Sequence, residues 1–435
     1  MPDRISAGSD LNMELLNLSK FTSVVFLLAL VCAQPQRAQA GGQGFSSTYD
    51  SSREVVGEGR YTAFPFHVSV GARVGYDDNV QLSSFDPQES FFTSAVVGLS
   101  YEFGNARTKL SLTGNAGLTY YWDTDSEFSG QSDEYDVNGS LGFSITHRAT
   151  PRLTLSASVY ASYQTQPNID TFNAITLRVS NQNQNFFYTI NRFSAGYAWT
   201  PRFSTLTSYS LGAVFYENDD IANYENRLEH TFGNEFRFLV APTTTAVFDY
   251  RLGIIDYTDD SNRNSISNYF LAGVDHSFSP RFNVSFRGGV EIRDFDGNVG
   301  GEDSRVAPYG ELTLTYALAQ STSLTWSNRV GLGQPDAPES FSAMSYRTAL
   351  GVRHNFTSRI SAGLNVAYQY DNNYGSFGVP GFDQQFFDLS LGVRYAINRN
   401  WALDAGYQHT QSAADESLLR DYSRNRYYGG VTFTF

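Results

Sequence analysis

The sequence predicts an all-β fold: a transmembrane antiparallel up-and-down β-barrel of about eighteen strands, with short periplasmic turns and longer extracellular loops. Three observations predict it. Apolar and polar residues alternate with period two in run after run of about ten to fourteen residues. Short turn-forming tripeptides and longer polar connections follow one another in strict alternation between those runs. Past the first forty residues no apolar stretch reaches the roughly eighteen residues that a membrane helix needs.

Composition agrees with this. Of 435 residues, 15% are aromatic and 17% charged, yet mean hydropathy is −0.33, so the apolar residues must be dispersed through polar sequence. A formal charge of −14 excludes the basic stripe of a nucleic-acid binder. The single cysteine, Cys32, lies in the N-terminal segment, which leaves the remainder free of thiols for passage through an oxidising compartment.

Residues 1–40 have the layout of a secretory signal peptide. Lys20 gives a basic flank, Phe21 to Cys32 an apolar core, and Ala38-Gln39-Ala40 a small-residue cleavage site. The alternatives are an uncleaved anchor, for which the apolar run is short, and lipid attachment at Cys32, which the bulky Val31 before it disfavours. Met13 is an alternative start. Residues 41–63 are Gly/Ser-rich and read as a flexible periplasmic lead-in, too short for a plug domain. The barrel is expected over 64–435.

The first strand illustrates the pattern: Phe66, Val68, Val70, Ala72, Val74 and Tyr76 on one parity, His67, Ser69, Gly71, Arg73 and Gly75 on the other. Leu110 to Tyr120, Phe232 to Phe238 and Phe387 to Tyr395 repeat it. Turns are expected at Gly104-Asn105-Ala106, Thr150-Pro151-Arg152, Thr200-Pro201-Arg202, Ala241-Pro242-Thr243, Ser279-Pro280-Arg281, Ala319-Gln320-Ser321, Thr357-Ser358-Arg359 and Asn398-Arg399-Asn400. Longer Asp/Asn/Gly-rich loops are expected between them, among them Asp123 to Asp133, Glu217 to Asn226 and Asp294 to Arg305. An even number of strands puts both chain ends in the periplasm. A propeller shares the repeat length of roughly forty residues but has no regular alternation of long and short connections.

In hydrocarbon every backbone donor and acceptor must be paired, so a spanning sheet must close. Its outward face then needs an apolar band, with aromatic rings at both water interfaces. Tyr120, Tyr121 and Trp122 are expected in the loop-side girdle; Trp199, Phe203, Phe278, Phe282, Phe356 and Trp401 in the turn-side one. His147, His276 and His354 each precede a short turn. They fit girdle positions, and their wide separation supports no metal site.

The final segment, Tyr427-Tyr428-Gly429-Gly430-Val431-Thr432-Phe433-Thr434-Phe435, resembles the terminal strand of outer-membrane proteins. The resemblance implies that Tyr427, Val431, Phe433 and Phe435 form the assembly signal read by the barrel-assembly machinery. The opening strand, from Val70 through Asp77-Asp78-Asn79-Val80, resembles the start of a β-barrel porin family (beta-barrel porin 2-like), where a G-x-x-x-x-x-D-N-V-like segment opens the barrel. That resemblance implies an outer-membrane location and a channel, with no catalytic residues to carry over. Some relatives belong to polysaccharide-export systems.

If the apolar parity meets lipid, the opposite one meets a water-filled lumen. Glu235, Arg237, Asp249, Arg251, Arg287, Glu291, Glu311, Arg329, Arg347, Asp388 and Arg394 fall on it, as do Asp136, Arg148, Asp275, Arg353 and Asp404. In a dry core such charges would cost several kcal/mol each. Lining water, they either impose a transverse field on a passing solute or form an arginine–carboxylate lattice that stiffens the wall. Mixed signs predict little ion selectivity. The longest connection, Pro167 to Asn185, folds inward as a constriction or extends a hairpin outward; both readings stay open. Acidic loop pairs such as Asp77-Asp78 and Asp219-Asp220 are read as solvated, with cation bridging to lipid phosphate as the alternative.

No nucleophile elbow, zinc-helix or phosphate-loop motif is present, so the chain is expected not to be an enzyme and to need no cofactor or metal. A membrane-embedded hydrolase would draw on His230 or His409. The expected partners are outer-membrane lipid, the assembly machinery and small hydrophilic solutes, and no nucleic acid. The expected function is passive diffusion of such solutes; a structural or accessory barrel for polysaccharide export is the rival.

Overall fold

The computed structural model describes residues 66–122, 135–165, 184–259, 261–299, 302–319, 321–335, 340–375, 380–415 and 421–435. The segments read as signal peptide and lead-in, the Asp123–Asp133 connection and most of the Pro167–Asn185 connection lie outside these residues.

Among the described residues there are eighteen strands: β1 (Phe66–Asp77), β2 (Ser90–Gly104), β3 (Thr108–Tyr121), β4 (Tyr135–Arg148), β5 (Leu153–Gln164) and β6 (Phe186–Ala198). β7 (Phe203–Tyr216), β8 (Arg227–Ala241), β9 (Thr244–Tyr257), β10 (Ser265–Ser279), β11 (Phe282–Val299) and β12 (Glu302–Ala319) follow. The wall is completed by β13 (Thr322–Gly333), β14 (Ser340–Asn355), β15 (Ile360–Gly375), β16 (Phe382–Ala396), β17 (Trp401–Ala414) and β18 (Tyr422–Thr434). A short helix α1 (Asp219–Glu225) follows β7, and a 3-10 turn (Ser261–Arg263) follows β9.

Every strand pairs antiparallel with its sequence neighbours, and β18 pairs with β1 from Ser69↔Thr434 to Asp77↔Arg426. The sheet is therefore a closed barrel with no free edge, the condition for surviving in hydrocarbon. Among the described residues no helix is long and apolar enough to cross a membrane.

The turns form because their first side chain replaces missing backbone partners. Thr150 Oγ1 accepts from Arg152 N (3.2 Å) and Leu153 N (2.9 Å); Thr200 and Thr357 do the same two and three residues on. Asn105 and Asn398 use Oδ1 for the same purpose. Such side-chain turns reverse the chain in few residues.

The outward parity is apolar and open: Val74 is 63% exposed, Phe248 63% and Val306 67%. Each such side chain is worth roughly 1.5–3 kcal/mol once removed from water, so the wall demands a lipid surround. Trp199, Phe278, Phe356 and Trp401 stand exposed beside the short turns, with Trp122 and Tyr135 at the opposite end. His147, His276 and His354 each hydrogen-bond a threonine across the strand pair, Thr108, Thr244 and Thr322, at 2.7–2.9 Å.

Two expectations need correction. Asp294 to Arg305 is not a loop: β11 and β12 run through it, pairing Asp294 with Ser304 before a bulge and Val299↔Glu302. Beyond the lipid a hairpin can be polar on both faces, so loss of alternation did not mark the strand's end. The connection expected over Glu217 to Asn226 does lie between β7 and β8, and it contains α1, capped by Asn218, whose side chain accepts from Asp220 N, with Asp219 and Asp220 in its first turn. Tyr121 is not a girdle residue; it is 1% exposed, packs on Phe92 and donates its hydroxyl to Asp136 (3.0 Å).

Candidate functional site

The inner wall of β8–β13 gathers most of the expected charges at mid-height. The register sets Glu235 opposite Asp249, Arg287 opposite Glu311, and Glu311 opposite Arg329. Arg237 bridges Glu235 (2.6 Å) and Asp275. Arg287 reaches Asp275 at 2.8 Å and Glu235 at 3.5 Å. Arg251 binds Asp249 and makes a two-pronged contact with Glu311 (3.0 and 3.1 Å). That last contact runs from β9 to β12, a reach that only the concave face of a closed sheet permits. Forked arginine–carboxylate geometry is the strong form of the interaction.

Nearer the loops the pairs become dry. Glu291 accepts from Ser267 Oγ (2.9 Å), Tyr269 OH (3.0 Å), Arg293 Nη2 (2.7 Å) and Leu332 N (3.3 Å); Glu291 and Arg293 are both 0% exposed. Within this network five carboxylates (Glu235, Asp249, Asp275, Glu291, Glu311) stand with five arginines (Arg237, Arg251, Arg287, Arg293, Arg329), so the network itself is neutral in sum.

The remaining expected residues stand on the adjoining wall. Arg347 of β14 lies opposite Arg329 and is 5% exposed. Arg394 of β16 lies opposite Asp404 of β17, and Asp404 is bound by Arg73 (3.0 Å) and Thr432 (3.1 Å). Asp388 of β16 is held by Thr410, Gln408 and Ser390. Arg73 and Arg293 were not expected at the site. Arg293 adjoins the segment read as loop, while the alternation of β1 already set Arg73 on the polar parity.

The inner parity is not polar throughout. Tyr160, Phe186, Tyr188, Ile190, Val214 and Tyr216 of β5–β7 form an apolar cluster closed by Ile221 of α1. The β7–β8 connection thus folds inward onto the wall. Arg227 holds it there through Glu225 and Glu229 (2.9 Å each). Arg263, from the β9–β10 connection, donates to Tyr224 O and to Pro335 O (3.1 Å), and Tyr257 OH donates to Gln334 (3.0 Å). Three loop-side connections are tied together inside the mouth.

The opening motif has a place of its own. Asp77, 0% exposed, binds the Arg424 guanidinium of β18 through Nε (2.9 and 3.0 Å) and Nη2. Asp78 accepts from Asn425 N (2.6 Å) and Nδ2 (2.7 Å). Asn79 donates to Ser423 O (3.1 Å) and ties its own turn through Ser83. Val80 packs on Phe92 and Tyr121. The aspartate pair read as solvated rim therefore joins the first strand to the last. Tyr427, Val431, Phe433 and Phe435 lie on the outward parity of the last segment, and Phe435 N donates to Val68 O (2.8 Å).

His230 and His409 lie on the outward parity, bound to Tyr209 OH and Asn425 Oδ1 (2.9 Å each). Among the described residues no group of three or more His, Cys, Asp or Glu has a metal-binding arrangement.

Residues 333–435 match the family model described as "Putative beta-barrel porin 2". The match covers β14 to β18, the last five strands of the barrel. Comparison with curated protein sequences returns no match. Solved structures similar to this barrel include Acinetobacter baumannii OccAB4, at 9% identity over 86% of this chain and 99% of that one, with a TM-score of 0.41. Pseudomonas aeruginosa OpdK with vanillate is similar at 11% identity over 85% and 99%, TM-score 0.42. The Pseudomonas aeruginosa siderophore receptor PirA is similar at 9% identity over 86% and 81%, TM-score 0.38.

Proposed function

We propose that the barrel is a passive diffusion channel for small hydrophilic solutes. The carrying observation is the arginine–carboxylate lattice on the inner wall at mid-height, where Glu235, Asp275 and Glu311 keep side-chain exposures of 20%, 21% and 29%. Partly exposed ion pairs on the concave face of an eighteen-stranded wall belong beside water, because strands in this number enclose more space than their own side chains fill. Balanced charge suits solutes of either sign. The inward-folded α1 narrows the mouth on the β5–β7 side and limits passage to small molecules. Residues 1–40 are assigned to export, 41–63 to a periplasmic lead-in, and Tyr427, Val431, Phe433 and Phe435 to recognition by the assembly machinery.

Purified barrel in a planar bilayer is expected to give steady, voltage-tolerant single-channel currents. No open-channel current from folded protein would remove the diffusion reading and leave the structural or accessory one. Ile221→Asp, which takes α1's apolar anchor off the wall, is expected to raise single-channel conductance about twofold, since pore radius governs flux. Unchanged conductance in the variant would show that α1 does not narrow the path.

A further inference from the structure

We infer that Asp388 is a binding point for the cationic end of a permeating solute. The inference deepens the diffusion-channel reading and rests on it for its selectivity consequence. Glu235, Asp249, Asp275, Glu291, Glu311 and Asp404 each meet an arginine. Asp388 does not. On the inner parity of β16, between Phe386 and Ser390, its partners are neutral: Thr410 Oγ1 (2.8 Å) and Gln408 Nε2 (3.1 Å) on Oδ2, and Ser390 Oγ (3.3 Å) on Oδ1. A carboxylate offers about four lone-pair sites, and three donors occupy three. One site on Oδ1 and the whole formal charge are left over. The side chain is half-buried rather than sealed, unlike the arginine-bound Glu291 and Asp77.

A lone carboxylate without a counter-charge is costly in a dry wall and tolerated only beside water. The three neutral donors fix its direction without cancelling its charge, the arrangement that attracts an ammonium or guanidinium group from solution. The facing strand pairs add no neutralising cation: Ala367 of β15 and Thr410 of β17 lie directly opposite. The neighbouring His409 points outward to Asn425.

Two measurements test this. Folded barrel in detergent is treated with a water-soluble carbodiimide and glycinamide, then digested for mass spectrometry. Asp388 is expected to label while Glu291 and Asp77 stay unlabelled, and spermidine is expected to reduce Asp388 labelling at least about threefold. No labelling at Asp388, or labelling that spermidine leaves unchanged, overturns the site. In bilayers under a salt gradient, Asp388→Asn is expected to lower the cation-to-anion permeability ratio about twofold, with Asp388→Glu retaining the wild-type ratio. Equal ratios in Asp388→Asn and wild type overturn the selectivity role. A barrel that carries no current yet shows spermidine-protected labelling removes the diffusion reading and keeps the binding point.

Discussion

Asp77→Ala is expected to lower the stability of the folded barrel by about 3–5 kcal/mol, the cost of leaving one member of a buried ion pair without its partner. Asp77 is fully buried and Arg424 is 5% exposed, so water cannot take over when the carboxylate is removed. Arg426 loses a neighbour at 3.8 Å in the same step. The damage falls on the loop-side end of the seam, where Asp78 and Asn79 still reach Asn425 and Ser423 beside the backbone ladder of β1 and β18. Urea unfolding in micelles, followed by tryptophan fluorescence, should show the midpoint fall. Asp77→Ala combined with Arg424→Leu should recover part of the loss, because it removes the stranded charge. A single variant with an unshifted midpoint would show that the seam does not depend on this pair.

Glu291→Ala is expected to cost a similar 3–5 kcal/mol by the same reasoning, applied to the opposite wall. Glu291 is the acceptor for Ser267, Tyr269, Arg293 and the Leu332 backbone, which binds β10, β11 and β13 at one point. Its loss leaves Arg293 with the Leu332 and Gly333 carbonyls, Ser267 and Tyr269, and none of these cancels its charge. Glu291→Gln keeps the acceptor oxygen and should be milder. Heat-modifiability on gels gives the readout: the alanine variant should convert to the slow-migrating unfolded band at a lower temperature. Equal conversion temperatures would mean that the hub contributes nothing.

Much of this architecture is written in the period of the sequence. Phe66 to Tyr76, or Phe232 to Phe238, can satisfy lipid on one face only as strands, and Thr-Pro-Arg leaves the chain little choice but to reverse. The lattice was legible for the same reason: Glu235, Arg251 and Glu311 stand at positions where the alternation demands a polar residue. Legibility ended where that demand ended. In Tyr120-Tyr121-Trp122 and Phe186-Phe187-Tyr188 both parities are aromatic, so period two no longer says which ring turns inward; Tyr121, Phe186 and Tyr188 do. Their inward packing depends on α1 and on Val80, contacts between segments that no local pattern encodes. Asp77-Asp78 looked like a solvated pair because its partners, Arg424 and Asn425, lie 347 residues away.

The junction of β1 with β18 carries one more consequence. Val68 and Phe435 are neighbours at the turn side, bonded much as residues flanking any of the short turns are. Topologically, the wall has no privileged starting point. A circularly permuted chain, with a brief linker from Phe435 to Phe66 and new ends cut between Pro201 and Arg202, would trace the same cylinder in rotated order.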